Sequence, residues 1–256
     1  MPRDRLLVRT IADFRRHWQA LAPGDAVLGP LALRPGEEIK LLDLADRGVS
    51  FFPPALAQWL ARSKVAQTEV LGEFMVPGAF VAYSLPDLAT HLPEYHSQAQ
   101  GPVVTKRDRA HLGLGVSLWP SLEDLYSLGG LQPLPFPLVV QPFLASAADL
   151  RIVVVGDYAE AYERVNPYGF RKNLFQGGSS RPAALTPELL TFCRRVMARG
   201  KFPYGILDLL LSPEGRPFLS EISLKGGLTG ARLSQAAFRQ QVAAMEEDFR
   251  RRWESS

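Results

Sequence analysis

Residues 204–231 read YGILDLLLSPEGRPFLSEISLKGGLTGA and contain two apolar runs separated by the tetrapeptide SPEG at 212–215. Proline in the second position and glycine in the fourth are typical of a tight turn, so the stretch predicts a β-hairpin. Each run carries one acid, Asp208 in the first and Glu221 in the second. A turn centred near the proline would place these two carboxylates opposite or nearly opposite one another.

The predicted hairpin would present a small set of oxygen ligands on one surface. Side chains alternate along a strand, so Glu221 and Ser223 share a face, with Asp208 across the hairpin from them. Two carboxylates and a hydroxyl are hard oxygen ligands, which suit Mg²⁺ carried in with a nucleotide phosphate. The alternative is a solvent-facing hairpin edge whose acids bind nothing. On the hairpin alone, both interpretations stay open.

Composition indicates an ordinary globular protein. The chain has 256 residues, of which 46% are hydrophobic and 21% charged, enough for one domain or two closely packed ones. The formal net charge is only +3, so we expect no nucleic-acid partner. Cys193 is the only cysteine, which excludes an intrachain disulfide and cysteine metal sites. Signal-peptide and membrane-span patterns are not found, so we expect a cytoplasmic protein without a membrane partner.

A second signal lies in GPVVTKRDRAHLGLGVSLW, residues 101–119. The pattern is a strand containing Lys106, a loop containing Gly113 and Gly115, and a second strand. Loop N–H groups and a lysine in this arrangement can bind phosphate oxygens. The loop is not a P-loop, because neither Lys-Ser/Thr nor a helix follows the glycines. A plain hairpin with a flexible tip would show the same pattern.

Polar side chains also recur in strand-rich surroundings elsewhere. Lys64 lies in a predicted helix over 63–72, whereas 91–100 is polar and predicted to be irregular. Cations precede acids along the chain, and a site for ATP with magnesium needs both, for phosphate and for metal. Arginines and an asparagine beside a glycine pair could hold a phosphoryl group or an acid substrate. The residues concerned are Lys64, Lys106, Asp149, Arg151, Arg164, Arg171, Asn173, Asp208 and Glu221.

Several of these residues stand in motifs that follow one another in a recognisable order. LADRGVSFFP and ARSKVAQTEVL precede and surround Lys64, PVVTK contains Lys106, and HLGLGV follows it. The series continues with VVQPFL, then DLRIVVVGD with AYER and FRKNLFQGG, and ends with GILDLL and FLSEIS. From about Leu44 to Ala231 the sequence resembles the ATP-grasp superfamily. It is most similar to the ribosomal-protein glutamate ligase-like (RimK-type) branch of carboxylate–amine ligases.

This resemblance implies an α+β ATP-grasp fold, in which two α+β lobes grip ATP. Residues 1–60 would form a truncated amino-terminal α/β region that precedes the ATP-grasp lobes. Residues 61–135 would form the amino-terminal lobe with its glycine-rich lid loop. Residues 136–256 would form the carboxy-terminal lobe with the metal-binding hairpin.

The resemblance also implies a role for each residue that matches a family motif. The implied ATP-binding residues are Lys64, Lys106, Gly113, Gly115, Gln141, Phe143, Leu144 and Asp149. The implied catalytic residues are Arg164 and Arg171, beside the γ-phosphate and the acyl phosphate, and Asn173, which would support their loop. The implied metal ligands are Asp208, Glu221 and Ser223. The cofactors would be ATP and Mg²⁺, with Mn²⁺ as an alternative ion.

The activity that the resemblance implies is ATP- and Mg²⁺-dependent ligation of a carboxylate to an amine. The reaction would form ADP and pass through an acyl phosphate. Two alternatives use the same residues. One is an ATP-grasp kinase that phosphorylates a small molecule or protein, and the other is a non-catalytic ATP-binding scaffold.

Three departures from the family pattern bear on these expectations. Ser223 stands where the family usually has asparagine, and Pro142 stands where an acid is common. The region before Lys64 is also shorter than the amino-terminal domain that helps family ligases bind substrate. We therefore expect small-molecule or peptide carboxylates and amines as substrates, with a homodimer or a partner protein completing the acceptor site.

Overall fold

The computed structural model describes residues 4–98, 100–110, 114–167, 169–170 and 177–256. Within these ranges the chain forms three β-sheets with helices packed on them. One sheet is parallel and two are antiparallel, so the α+β class predicted from the sequence is confirmed. In the same ranges, no helix has both the length and the apolar character needed to cross a membrane.

The amino-terminal region forms a three-stranded parallel sheet in the order β1-β2-β3, with helices on it. Its elements are β1 (Leu7–Val8), α1 (Ile11–His17), β2 (Ala26–Leu28), α2 (Ile39–Asp46), β3 (Ser50–Phe52) and α3 (Ala55–Leu60). Phe14 of α1 and Leu41 and Leu44 of α2 are fully buried in the core of this region. The spacing of the two leucines places them on one face of their helix, which explains why this face is buried.

The second sheet is antiparallel, in the order β4-β7-β5-β6. Its strands and accompanying helices are α4 (Lys64–Leu71), β4 (Phe80–Ala82), α5 (Leu85–Ser97), β5 (Val103–Arg107), β6 (Val116–Trp119), α6 (Leu122–Leu131) and β7 (Leu138–Pro142). Strand β7 lies beyond the predicted segment boundary at 135/136 and yet pairs with β4 and β5. By hydrogen bonding, the second sheet therefore extends to Pro142, and the division into three segments stays a prediction.

Helix α5 is longer than the sequence indicated. It begins at a capping box, in which the Asp87 carboxylate accepts from the Ser84 backbone N–H at 2.8 Å. It then runs on to Ser97, so the prediction of an irregular segment over 91–100 is wrong. The reason is packing: His91 stacks on Phe80 with ring centroids 3.6 Å apart, and Tyr95 is buried in the core. Polar composition is overridden where one helix face finds such partners.

The third sheet is antiparallel, in the order β10-β9-β8-β11-β12, and together with the helices packed on it contributes most of the largest hydrophobic core. Its strands and helices are β8 (Ala148–Val155), β9 (Tyr158–Val165), β10 (Ser179–Ala183), α7 (Pro187–Gly200), β11 (Tyr204–Leu211), β12 (Pro217–Ser223) and α8 (Gln235–Glu254). Helix α7 begins where the Thr186 hydroxyl accepts from the Leu189 N–H at 3.3 Å. Cys193 and Val196 of this helix are fully buried in the core.

Strands β11 and β12 form the hairpin that the sequence predicts. The turn closes where Gly215 N–H donates to the Ser212 carbonyl at 2.9 Å, and Gly215 has φ +81°, which favours glycine. Asp208 lies directly opposite Glu221, which confirms the predicted juxtaposition. The next pair is Leu209 with Leu219, so the ladder shifts and Ser220 is the extra residue of a β-bulge.

One buried glutamine fixes helix α4 on the third sheet. The Gln67 side chain is 1% exposed and lies on α4. Its amide donates to the carbonyls of Leu60 at 2.8 Å and of Ile222 at 2.9 Å, and accepts from the Ile222 N–H at 2.9 Å. Because Ile222 lies in β12, these bonds hold the first turn of α4, with Lys64, beside the β11–β12 hairpin.

Candidate active site

A cavity of about 1050 Å³ opens where the amino-terminal region and the two antiparallel sheets meet. Ten residues that the sequence proposed for the site line it: Lys64, Lys106, Gln141, Phe143, Leu144, Asp149, Arg164, Asp208, Glu221 and Ser223. Gly115 is not among the lining residues. Gly113, Arg171 and Asn173 lie outside the described residues. The structure thus brings together side chains that lie up to 159 positions apart, from Lys64 to Ser223, and their individual roles stay predictions.

Lys64 joins three parts of the site. It lies in the first turn of α4, where the Ser63 hydroxyl caps the helix by accepting from the Ala66 N–H at 3.0 Å. The Lys64 Nζ donates to Glu221 Oε1 at 3.2 Å and to the Ala110 carbonyl at 2.8 Å. A residue proposed for ATP thus forms an ion pair with a residue proposed for metal.

The loop after β5 is fixed near this lysine. Asp108 Oδ1 accepts from the Ser63 hydroxyl at 2.9 Å and from the Val65 N–H at 3.2 Å, so the loop is attached to the start of α4. Gly115 allows the two arms of the loop to approach, because a Cβ there would lie 2.3 Å from the Ala110 Cβ. Gly115 therefore shapes the loop without lining the cavity.

Lys106 lies in β5 and is only 8% exposed. Its Nζ donates to the carbonyl and to the hydroxyl of Ser220, both at 3.1 Å. These oxygens are available because Ser220 is the bulged residue of β12. Burial lowers the pKa of Lys106 to about 8, although Glu221 opposes the shift. Among the described residues, both hydrogen-bond partners of the Lys106 ammonium group are neutral oxygens. The ammonium charge is therefore buried without a directly bonded carboxylate.

Asp208 is held by two arginines. Arg151 forms a bidentate contact with the carboxylate, in which Nε donates to Oδ1 at 2.7 Å and Nη2 donates to Oδ2 at 2.8 Å. Arg164 Nη1 lies 3.1 Å from Oδ2. The β8–β11 register places Arg151 directly opposite Asp208. Burial alone would raise the pKa of Asp208, but the two guanidiniums outweigh it and lower the pKa to about 2. The carboxylate is therefore anionic at neutral pH.

Arg164 connects this acid to a second one. Its Nε and Nη2 lie 2.7 and 2.6 Å from Asp149 Oδ1, across the β8–β9 pair. Burial raises the pKa of Asp149, and the charge of Arg164 opposes that shift. Asp149, Arg151, Arg164 and Asp208 thus form one continuous network of ion pairs on the third sheet. The sequence pointed to Arg151 without assigning it a role, because its partner lies 57 residues away.

The predicted metal ligands all lie on the β11–β12 hairpin. Among the residues that the structure describes, no three His, Cys, Asp or Glu side chains are placed to hold a metal ion together. Asp208 and Glu221 lie opposite each other, and Ser223 also lines the cavity. Magnesium commonly binds one or two carboxylates and completes its shell with phosphate oxygens and water, so this donor set fits Mg²⁺ brought in with a nucleotide.

The segment that contains the predicted ATP-binding residues Gln141, Phe143 and Leu144 uses part of its backbone in internal hydrogen bonds. Gln141 in β7 is 4% exposed, and the Phe143 N–H donates to the Pro102 carbonyl at 2.8 Å. The Phe143 ring packs edge-to-face on Phe170, with centroids 6.2 Å apart. The Phe143 N–H is therefore engaged within the protein, and a base bound here would use other groups of the segment.

The cavity as a whole is electropositive. Its described lining contains seven cationic side chains and three carboxylates. The cations are Arg62, Lys64, Lys106, Arg109, Arg151, Arg164 and Lys225, and the carboxylates are Asp149, Asp208 and Glu221. Sequence analysis assigned no role to Arg62, Arg109 or Lys225, although each of them lies within one of the quoted stretches. An excess of positive charge in a concave site favours a polyanionic ligand.

Two antiparallel sheets that enclose such a cavity define the ATP-grasp fold, and comparison with solved structures supports this class. The ATP-grasp ligase PsnB complexed with minimal precursor, Mg and ADP is 13% identical, with a TM-score of 0.58, covering 96% of this chain and 99% of that chain. D-alanyl-alanine synthetase A from Vibrio cholerae O1 biovar eltor is 13% identical, with a TM-score of 0.57, covering 95% and 94%. At this identity the likeness shows the fold alone.

The family follows from the sequence. The model of the RimK-like ATP-grasp domain matches residues 58–243, and the chain belongs to this family. A probable alpha-L-glutamate ligase 2 from Shewanella frigidimarina is 33% identical over 134 residues, covering 50% of this chain and 45% of that protein. A probable alpha-L-glutamate ligase from Trichodesmium erythraeum is 29% identical over 190 residues, covering 72% and 62%. The chain thus spans less than two thirds of either relative, and the family resemblance read from its motifs is confirmed.

Proposed function

We propose that this protein is an ATP- and Mg²⁺-dependent ligase that joins a carboxylate to an amine through an acyl phosphate and releases ADP. The observation that carries the proposal is the convergence of Lys64, Lys106, Asp208 and Glu221 on one cavity. Lysines for phosphate and carboxylates for its metal ion are the two requirements of phosphoryl transfer. The names of the relatives and of the structural neighbours agree with ligase chemistry.

Lys106 and Lys64 would bind the phosphates of ATP. Lys106 has two neutral oxygen partners, so contact with a phosphate would relieve the cost of its burial. Lys64 would exchange its contact with Glu221 Oε1 for a phosphate oxygen and keep its contact with Ala110. Both lysines would then offset charge at the reacting phosphoryl group.

Asp208, Glu221 and Ser223 would hold Mg²⁺, which supplies charge neutralisation at the phosphate oxygens when bound. Asp208 is already anionic because of Arg151 and Arg164, so no proton has to leave it before it binds a cation. Glu221 becomes available when Lys64 turns to phosphate. A single ion position would satisfy this donor set, and Mn²⁺ is an alternative ion.

Arg164 would stabilise the phosphoryl group as it passes to the substrate carboxylate. It is anchored on Asp149 and Asp208, which fixes its guanidinium before the reaction begins. The substrate carboxylate attacks the γ-phosphorus, the bond from that phosphorus to the ADP oxygen breaks, and an acyl phosphate results. An amine then attacks the acyl carbon, a proton leaves the nitrogen, and phosphate departs. Catalysis would therefore rest on positioning and charge, as in other phosphoryl transfers.

The substrates are proposed as small-molecule or peptide carboxylates and amines. Relatives are named as probable alpha-L-glutamate ligases, which makes L-glutamate the first compound to test. A solved relative of the fold was crystallised with a minimal precursor, which makes short peptides the second class. The amino-terminal region contributes Pro30, Leu33 and Gln58 to the cavity, and a second copy or a partner protein would complete the acceptor wall.

The test measures ADP release from ATP and Mg²⁺ in the presence of paired carboxylates and amines. Hydroxylamine in place of the amine traps an acyl phosphate as a hydroxamate. Carboxylate-dependent ADP release together with a hydroxamate supports the ligase. A phosphorylated product without hydroxamate identifies a kinase, and nucleotide binding without turnover across the panel identifies a scaffold. Either of these two results rejects the ligase. Activity that falls on dilution, with light scattering that reports dissociation, supports completion of the site by a second copy.

A further inference from the structure

Arg62 lies on the cavity wall between the amino-terminal region and helix α4, two residues before Lys64. Its side chain is half-buried, and its Nη1 donates to the Leu33 carbonyl at 3.3 Å. No carboxylate in the described ranges forms an ion pair with it. The other arginines of the cavity differ, because Arg109, Arg151 and Arg164 each contact at least one acid.

Glu38 is the acid whose charge raises the pKa of Arg62, but its carboxylate is already paired with Arg109. Glu38 is 5% exposed, forms an ion pair with Arg109, and accepts from the Gly36 N–H at 2.8 Å. Arg109 also lies 3.4 Å from Asp108. Burial lowers the pKa of Arg62, Glu38 opposes this shift, and the neighbouring charge of Arg109 adds to it. The positive charge of Arg62 is therefore not neutralised by a partner of its own.

The wall beside Arg62 is largely apolar and is attached to helix α3. Gln58 on α3 is 1% exposed, accepts from the Leu31 N–H at 3.0 Å and donates to the Pro53 carbonyl at 2.8 Å. The first of these bonds attaches Leu31 to α3, and Pro30, Leu33 and Pro35 of the segment 30–35 line the cavity. The result is an aliphatic surface with one guanidinium at its edge. Such a surface fits a short carbon chain that ends in an anionic group.

We propose that Arg62 binds a carboxylate of the substrate that does not react. This proposal rests on the ligase function and defines its substrate class as a carbon chain with a second carboxylate. The reacting carboxylate becomes an acyl phosphate and then a neutral amide, so its own charge disappears. A fixed guanidinium is better matched to a carboxylate that keeps its charge throughout. The second carboxylate belongs either to a dicarboxylic acid or to an amino acid that acts as the amine.

The test measures binding and needs no turnover. The protein is saturated with ADP and Mg²⁺ and titrated calorimetrically with succinate, glutarate and adipate and with the monoamide of each. L-leucine against L-leucinamide forms the amino-acid arm. We expect one arm to bind its fully ionised member at least about tenfold more tightly than the amide, since a hydrogen bond to a charged group is worth that factor or more. The arm that responds identifies the source of the second carboxylate.

Two variants decide whether Arg62 is responsible. Arg62→Gln should remove the preference for the carboxylate and leave ADP binding unchanged, whereas Arg62→Lys should keep part of the preference. Arg34→Gln is the matched control, because Arg34 lies in the neighbouring segment 30–35 and its side chain is exposed. Equal binding by wild type and Arg62→Gln, or no preference for the carboxylate in either arm, overturns the proposal.

Arginine labelling in the wild type keeps the test informative if a variant does not fold. Phenylglyoxal should modify Arg62 faster than the ion-paired Arg109, Arg151 and Arg164, and the carboxylate that binds should slow it. Labelling of Arg62 that no carboxylate slows overturns the proposal. The ligase function and the Arg62 subsite can fail separately. If the protein releases ADP but carboxylate binding does not depend on Arg62, the ligase function stands and the subsite is rejected. If carboxylate binding depends on Arg62 but no substrate pair causes ADP release, the subsite stands and the ligase function is rejected.

Discussion

The two walls of the cavity differ in how their charges are compensated. On the third sheet, Asp149, Arg151, Arg164 and Asp208 form an ion-pair network, which we call the paired wall. Elsewhere in the cavity lining, Lys106 and Arg62 contact only neutral oxygens among the described residues, and we call them the unpaired wall. The comparison indicates that the two walls have different electrostatic roles. The paired wall keeps Asp208 ionised before any ligand arrives, while the cations of the unpaired wall are free to bind anionic ligands.

The largest expected effect comes from breaking the paired wall at Asp208. Asp208→Asn removes a proposed metal ligand and leaves Arg151 and Arg164 without a shared partner. We expect ADP release to fall on the order of 10³-fold, the scale of lost electrostatic stabilisation at a reacting centre. Breaking a buried ion pair also destabilises, so the free energy of unfolding should fall by about 3 kcal/mol. Coupled ADP assays and urea denaturation measure the two effects.

Glu214→Gln is the control for this variant. Glu214 belongs to the same hairpin, but lies exposed in its turn. The control should keep both activity and stability within experimental error. Unchanged turnover in Asp208→Asn would contradict its assignment as a metal ligand.

The second prediction compares how substitutions in the two walls change the free energy of unfolding. Lys106→Met removes the buried ammonium and, if Lys106 binds phosphate, should weaken ATP binding by roughly ten- to a hundredfold. Unlike Asp208→Asn, it should not destabilise the protein, because no buried carboxylate is left without its partner. Calorimetric titration with ATP and urea denaturation check both parts. A loss of stability as large as that of Asp208→Asn would show that the two walls do not differ as described.

The third effect is a pH dependence that originates in Lys106. Its pKa in the folded protein is about 8, against 10.5 for an unperturbed lysine. Between these values the unfolded chain binds more protons, so the stability of the ligand-free protein should rise with pH through this window. ATP binding should show the opposite trend and weaken above pH 8, by up to about tenfold per pH unit. Both follow from the same ammonium group.

Lys106→Arg sharpens this pH test. Arginine stays charged over the whole range. The variant should therefore bind ATP with a nearly constant affinity from about pH 7.5 to about pH 9.5, a range that includes the pKa of Lys106 of about 8. Circular dichroism at each pH confirms that the variant is folded. An identical fall in affinity in wild type and Lys106→Arg would assign the titration to another group.

The paired wall shows what the sequence could and could not reveal. The nearness of Asp208 to Glu221 follows from local signals, because one turn and the strand period bring the two acids close together, and the bulge at Ser220 then places them directly opposite each other. The bidentate contact of Arg151 with Asp208 depends instead on how β8 pairs with β11, and no local pattern specifies that pairing. The family motif located Arg151 on a strand, but its partner required the folded sheet.

The unpaired wall was harder to predict. Lys106 was recognised from its motif, whereas its contact with Ser220 depends on a bulge that the apolar alternation of β12 conceals. Arg62 was missed because its environment is made by the segment 30–35, which packs against α3 from a distance in the chain. Tertiary packing also explains the helical structure of 91–97, which composition alone did not indicate.

The smallest effect concerns Ser223, the departure from the family pattern at the rim of the paired wall. Ser223 lines the cavity, and a neutral hydroxyl contributes only about 0.5–1.5 kcal/mol as a ligand or hydrogen-bond partner. Ser223→Ala should therefore weaken Mg²⁺-dependent ADP release by no more than about tenfold, and Ser223→Asn should preserve or improve it. Magnesium titrations of ADP release measure both, with Ser212→Ala in the hairpin turn as control. A loss in Ser223→Ala comparable to that of Asp208→Asn would place the metal nearer the end of β12, and the paired wall would then serve mainly to position Arg164.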